Sequence, residues 1–143
     1  MSIWFDPASL PPVPHAPSAG TLAHHLGMVL TAFADDALHG SMPVDDRTRQ
    51  AAGLLHGGAS VALAETLMSA AAARTVDPSR QRVVGLEINA NHVRGVQEGH
   101  VHGVARPVHL GRSTQVWTCE LHDDAQRLVC SARMTISVLE RAA

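Results

Sequence analysis

A chain of 143 residues, 45% hydrophobic and 17% charged with a formal net charge of −2, is one domain's worth of sequence with enough apolar side chains for a core. Its charge gives no broad basic surface for nucleic acid, and with aromatics at 3% and tyrosine absent a base-stacking surface has no material either. Cys119 and Cys130 make no disulfide framework, residues 1–6 lack the basic and apolar run of a secretory signal, and no stretch nears the ~20 apolar residues that cross a bilayer. These features predict a soluble cytoplasmic protein with no membrane partner.

Residues 1–20 contain Pro7, Pro11, Pro12, Pro14 and Pro17, and such a density of proline predicts an extended, poorly structured lead-in. Residues 21–143 read as one domain. Thr21 can cap a short helix within residues 19–26. A strand follows over residues 28–35, then another in which Leu38, Gly40, Met42 and Val44 share one parity. The segment Gly58 to Thr75 is rich in Ala and Leu with no internal glycine or proline, and reads as a helix of about four turns. Asp77-Pro78 stops it.

Beyond it the periodicity changes to two. Val84, Leu86, Ile88 and Ala90 alternate with Gly85, Glu87, Asn89 and Asn91, predicting that the first set faces the core. Val101, Gly103 and Ala105 follow, then residues 115–121. Leu128, Cys130, Ala132, Met134, Ile136 and Val138 form the cleanest alternation. The order β-β-α-β-β-β-β, with one long helix against an antiparallel sheet of about six strands, is an α+β architecture. Its unpaired sheet edges favour oligomerisation.

Chemistry concentrates at the helix start. His56-Gly57-Gly58 precedes the helix, where glycines permit close backbone approach and unpaired N–H groups favour a developing oxyanion. Glu65 shares a face with Val61 and Ser69. Two readings of Glu65 stand side by side: a solvent-facing residue of an amphipathic helix, or a partly buried carboxylate acting as nucleophile or general base. His24-His25 and His100-x-His102 lack the spacing and ligand number of a zinc site, so no metal is expected. Ser60 lacks a Gly-x-Ser-x-Gly elbow, the cysteines read as core, and no Gly-x-Gly-x-x-Gly or Walker loop is present.

Residues 55–60 (LHGGAS) with Leu63-Ala64-Glu65, followed by residues 84–92 (VGLEINANH), resemble the hotdog-fold thioesterases. The likeness is to the branch that holds the 1,4-dihydroxy-2-naphthoyl-CoA thioesterases and the proofreading thioesterases of enterobactin synthesis. That branch is itself similar to the helix-glutamate 4-hydroxybenzoyl-CoA thioesterases. Residues 103–111 and 115–117 extend the likeness, which runs from about Leu26 to Leu139. The loop at residues 76–80 and the Pro-rich start depart from the pattern.

The resemblance implies a sheet wrapped around the central helix, dimers that share active sites, and a homotetramer built as a dimer of dimers. It implies hydrolysis of acyl- or aroyl-CoA thioesters, aromatic acyl groups favoured, with no cofactor because coenzyme A is part of the substrate. Glu65 attacks the thioester or activates water, the Gly57 N–H polarises the carbonyl, Gln50 and His56 orient the acyl group or sulfur, and Ser69 positions water. The segments matching CoA-binding loops are Gly85, His92-Val93-Arg94-Gly95 and His109-Leu110-Gly111-Arg112-Ser113-Thr114. Arg94, Arg106 and Arg112 supply guanidinium groups suited to phosphate. The alternatives are a proofreading hydrolase for acyl groups on an acyl or aryl carrier protein, and a non-catalytic acyl-CoA-binding protein on the same fold.

Overall fold

The computed structural model describes residues 1–142. A 3-10 turn (Pro7–Ser9) and helix α1 (Leu22–His25) precede strands β1 (Val29–Phe33) and β2 (Leu38–Pro43). Helix α2 (Gly57–Ala73) follows, then β3 (Gln81–His92), β4 (His100–Leu110), β5 (Thr114–Asp123) and β6 (Leu128–Glu140). The six strands form one sheet in the order β1-β2-β4-β5-β6-β3, antiparallel throughout. The expected α+β architecture is therefore present, with α2 packed against β2 through β6.

The helix sinks into the sheet because two glycines let it. Gly40 on β2 and Gly103 on β4 are direct cross-strand partners. A Cβ on either would lie 2.5 Å from a methyl of Leu67. The pair thus opens a slot in the pleated surface into which Leu67, 1% exposed, inserts. Leu63, Ala64, Met68, Ala71 and Ala72 are buried around it. Trp117, Cys119, Leu121, Met134 and Ile136 on β5 and β6 close the core from the sheet side. Every second residue is buried, as expected, in β2, in β4 as far as Ala105, in β5, and in β6 from Cys130 to Val138.

Two expectations fail. On β3 the register shifts between Gly85 and Glu87, opposite Ile136 and Thr135 of β6. This bulge places one extra residue in the strand and reverses the parity that follows it. Val83, Ile88 and Ala90 therefore pack on the core, while Val84 and Leu86 face outward at 38% and 65% exposure. A period-two count cannot register a bulge.

The lead-in, expected to be poorly structured, is extended but docked. Trp4 is buried, its indole N–H donating to Ala34 O at 2.8 Å and its ring meeting Phe33 edge-on. Phe5 N–H donates to the carbonyl of Arg74 just beyond α2, and His15 exchanges two 2.9 Å backbone hydrogen bonds with Leu30 of β1. One buried aromatic anchor and backbone pairing fix a segment whose prolines suppress regular structure. Short-range corrections are small: α2 begins at Gly57 and ends at Ala73, and Thr21 caps α1 as predicted, accepting from His24 N–H at 3.1 Å.

If the glycine slot sets how closely the helix sits, Gly103→Ala lowers stability by about 1–3 kcal/mol through overpacking. Combining it with Leu67→Ala costs less than the sum of the two single changes. Urea midpoints at constant m-value measure both effects, and an unshifted midpoint for Gly103→Ala contradicts the slot.

Candidate functional site

The loop from Asp45 to Leu55 delivers the helix start to its place. Thr48, 1% exposed, donates its hydroxyl to Pro43 O at 2.8 Å and offers its carbonyl to His56 N–H at 2.7 Å. Arg49 reaches across to Gln97 O at 2.9 Å, and Leu55 N–H donates to Val96 O at 2.7 Å. The loop is thereby stitched to the β3–β4 connection. Gln50 sits on it, its N–H donating to Leu54 O and its side-chain oxygen accepting from Ala52 N–H.

His56 is the N-cap of α2, its Nδ1 accepting from Gly58 N–H at 2.8 Å. A neutral imidazole bonded in this way carries its proton on Nε2, which becomes a donor. The His56 carbonyl accepts from Ala59 and Ser60 N–H at 2.9 and 3.2 Å. Three of the four first-turn N–H groups are thus satisfied within the loop and helix. Among the described residues the fourth, from Gly57, has no acceptor. An unpaired N–H at the positive end of a 17-residue helix is a donor waiting for an oxyanion.

Gly57 lies in a cleft of ≈ 300 Å3 together with Gln50, Ser60, His92, Val93, Arg94 and Gly95. The His92 ring packs against it so closely that a Cβ on Gly57 would stand 3.0 Å from Nε2. A side chain at this position would press on the His92 ring, which would have to give by a few tenths of an ångström. Of this lining, Leu54, Leu55, Ser60 and Val129 were not among the residues predicted from the sequence. Ser60 was legible in principle, being one helical turn beyond Gly57; Leu54 and Val129 come from other elements and carry no local signal.

The remaining predicted residues lie elsewhere. Glu65 is exposed, at the middle of α2, with Oε1 3.6 Å from the position of a Cβ on Gly85. The same Cβ would collide with the Met134 methyl, and the Ser69 hydroxyl lies 3.9 Å from the Met134 sulfur. Glu65, Ser69 and Gly85 therefore form a second cluster at the β3 bulge. Eight residues separate Glu65 from Gly57, about 12 Å along the axis at ~1.5 Å per residue. In one chain the carboxylate and the N–H donor cannot act on one carbonyl.

His109 to Thr114 form the β4–β5 turn, closed by Gly111 N–H to Thr114 O at 2.9 Å, while Ser113 O accepts from Val138 N–H at 2.9 Å. Thr114 is opposite Ser137 of β6, whereas His92 is opposite Cys130. Seven β6 positions, about 23 Å at ~3.3 Å each, separate the two segments read as CoA-binding. Among the described residues Arg94 and Arg112 have no carboxylate partner, while Arg106 faces Asp36 at 3.6 Å.

Other candidates fit structural roles. Burial, with a smaller contribution from Cys130, pushes the Cys119 thiol up to about 12, which suits a core residue and not a nucleophile. His102 pairs with Asp124 at 2.7 Å on the exposed side of β4.

With this geometry in view, the chain matches the profile of the Thioesterase superfamily over residues 52–130. The proofreading thioesterase EntH of Cronobacter sakazakii is 50% identical over 125 residues, 87% of this chain and 90% of that protein. The 1,4-dihydroxy-2-naphthoyl-CoA hydrolase of Escherichia coli K12 is 49% identical over 125 residues, 87% of this chain and 91% of that one. A crystal structure of a mutant thioesterase from Pseudomonas aeruginosa superposes with a TM-score of 0.89 at 42% identity, covering 98% of this chain and all of that one (100%). The helix-wrapped sheet, the unpaired N–H at the helix start and these similarities together make the chain a member of the thioesterase superfamily, a thioester hydrolase on the hotdog fold.

Proposed function

We propose that the protein hydrolyses acyl- or aroyl-CoA thioesters, with aromatic acyl groups favoured, at sites that two copies of the chain share. The observation that carries this reading is the unpaired Gly57 N–H, set in a cleft with Gln50, His92 and Arg94. In the reaction the thioester oxygen accepts from Gly57 N–H, and the Nε2–H of His56 and the Gln50 carboxamide orient the acyl group or sulfur. Glu65 either takes a proton from the water that attacks the carbonyl carbon, or attacks that carbon itself, in which case the mixed anhydride left after the thiolate departs is hydrolysed by water. The C–S bond then breaks and the thiolate departs, a good leaving group that needs no metal.

A second copy resolves the separations within one chain. β3 is the terminal strand of the sheet beyond β6, and it carries the outward Val84 and Leu86. Pairing two β3 strands antiparallel about a two-fold axis puts the His92 end of one beside the Gln81 end of the other. The His109 to Thr114 turn of one chain then approaches the His92 to Gly95 segment of its partner. Neighbouring α2 helices run antiparallel, and an axis near Val61, midway between Gly57 and Glu65, sets each glutamate opposite the other helix's start. Arg94 and Arg112, free of carboxylates, then serve the CoA phosphates from two chains. Further pairing of such dimers gives the tetramer.

A relative named as a proofreading thioesterase supports a second reading, in which the acyl group arrives on a carrier protein. The same acyl group presented both ways separates the two. The first reading expects kcat/KM on aroyl-CoA to equal or exceed that on the aroyl carrier protein, and a preference of tenfold or more for the carrier favours the second. For the chemistry itself, Glu65→Gln is expected to lower kcat by about 10³-fold or more with the thermal midpoint unchanged, since it removes the reacting carboxylate and keeps its shape. Free-thiol release from benzoyl-CoA reads this directly, and a variant with wild-type kcat contradicts the role of Glu65.

A further inference from the structure

The single sheet has two edge strands, and the chain treats them differently. β3, at one edge, is twelve residues long. Among the described residues it pairs as a strand with β6 alone, and its Val84 and Leu86 are exposed. β1, at the other edge, is five residues long, and the lead-in runs along it. His15 exchanges both backbone hydrogen bonds with Leu30, each at 2.9 Å. Just beyond β1 the Ala34 carbonyl accepts from the Trp4 indole at 2.8 Å, and the Asp35 carbonyl from Ile3 N–H at 2.9 Å.

We propose that residues 3–17 are a strap that closes the β1 edge, so that copies of the chain join edge to edge at β3 and nowhere else. The β3 half rests on the strand pairing of the proposed function. The strap half stands on the lead-in's own contacts. An edge strand offers its unpaired N–H and C=O groups to any other strand, a second copy of itself included. With both edges open, β3-to-β3 and β1-to-β1 contacts alternate into a fibre. With β1 closed, one two-fold contact at β3 ends the growth.

The strap does not become a new edge in its turn. Within residues 11–17, Pro11, Pro12, Pro14 and Pro17 have no N–H to offer. Val13, His15 and Ala16 are the remaining donors, and the His15 N–H is already bonded to Leu30. Two donors are too few for a ladder, which is why proline suits the outermost position of a sheet. The other end of the strap is its anchor. Trp4 is buried and meets Phe33 of β1 edge-on, Ile3 and Leu10 pack against the core, and Phe5 N–H donates to the Arg74 carbonyl at 2.8 Å. Anchored there, the His15 segment meets Leu30 as an intramolecular partner, at a higher effective concentration than a strand from another copy.

The test is the weight-average mass by light scattering on size exclusion, followed over a roughly tenfold range of protein concentration. It compares wild type, His15→Pro, Trp4→Ala with His15→Pro, and Leu86→Arg. Wild type is expected to hold one mass. The double variant loses the anchor and the His15 donor, and its mass is expected to about double or more as concentration rises. That growth reverses on dilution, with thiol release from benzoyl-CoA per chain kept at the wild-type level. A synthetic peptide of residues 1–17 added in trans is expected to return the double variant to the wild-type mass, which mere destabilisation does not allow. His15 is partly exposed, so His15→Pro folds even where Trp4→Ala does not, and its mass also grows with concentration. If both variants keep the wild-type mass throughout, the strap is overturned. Growth into a precipitate that neither dilution nor peptide reverses overturns it too. Leu86→Arg reads the β3 pairing separately and is expected to lower the wild-type mass about twofold. An unchanged mass there overturns the β3 half, while the strap half still stands or falls on the other two variants.

Discussion

Leu67 in its slot over Gly40 and Gly103 is the contact from which the rest of the arrangement follows. A helix is held off a sheet by the side chains beneath it, and a slot without Cβ atoms allows a closer seat. Burying Leu63, Leu67 and Met68 there contributes of order 2 kcal/mol for each large side chain. It also fixes the axis of α2, and with it the place where the helix begins. The loop before the helix is then held by Thr48, Arg49 and Leu55, so that His56 caps the helix at a defined point. Placement of one unpaired N–H is the outcome of packing nearly three turns away.

That N–H is unpaired because of what its neighbours do. His56 satisfies Gly58 through its ring and Ala59 and Ser60 through its carbonyl, which leaves Gly57 over. The His92 ring packs close against Gly57, so that a side chain there would crowd it. A helix dipole directed at a site with one open donor is a preorganised charge stabiliser that needs no rearrangement as the oxyanion forms. Glu65, the carboxylate proposed to act with it, lies about 12 Å away on the same helix. One rigid helix cannot shorten that distance; a second copy of it, antiparallel, can.

Much of this was legible in the sequence. The Ala/Leu run of α2, its stop at Asp77-Pro78, and the alternation of β2, β5 and the first half of β4 obey local rules, and local rules predicted them. The His56-Gly57-Gly58 start was legible from its glycines at a helix N-terminus, and Gln50, His92 and Arg94 through resemblance to a family. What escaped was non-local. The bulge between Gly85 and Glu87 arises from pairing with β6 and turns Val84 and Leu86 outward. The lead-in is ordered by Trp4 against Phe33 and Ala34, contacts some thirty residues distant. The distance between the segments 92–95 and 109–114 is a property of the strand order, which periodicity does not encode.

A site assembled from two chains makes a demand that a self-sufficient chain does not. Glu65→Gln and His56→Ala proteins, each inactive alone, are mixed, unfolded in denaturant and refolded together, and thiol release from benzoyl-CoA is followed. Random pairing gives half mixed dimers, each with one site holding an intact Glu65 and an intact His56. The account therefore predicts recovery of about a quarter of wild-type activity. Activity that stays at the level of the separate variants after refolding would contradict it, and would return Glu65 and His56 to independent roles within a single chain.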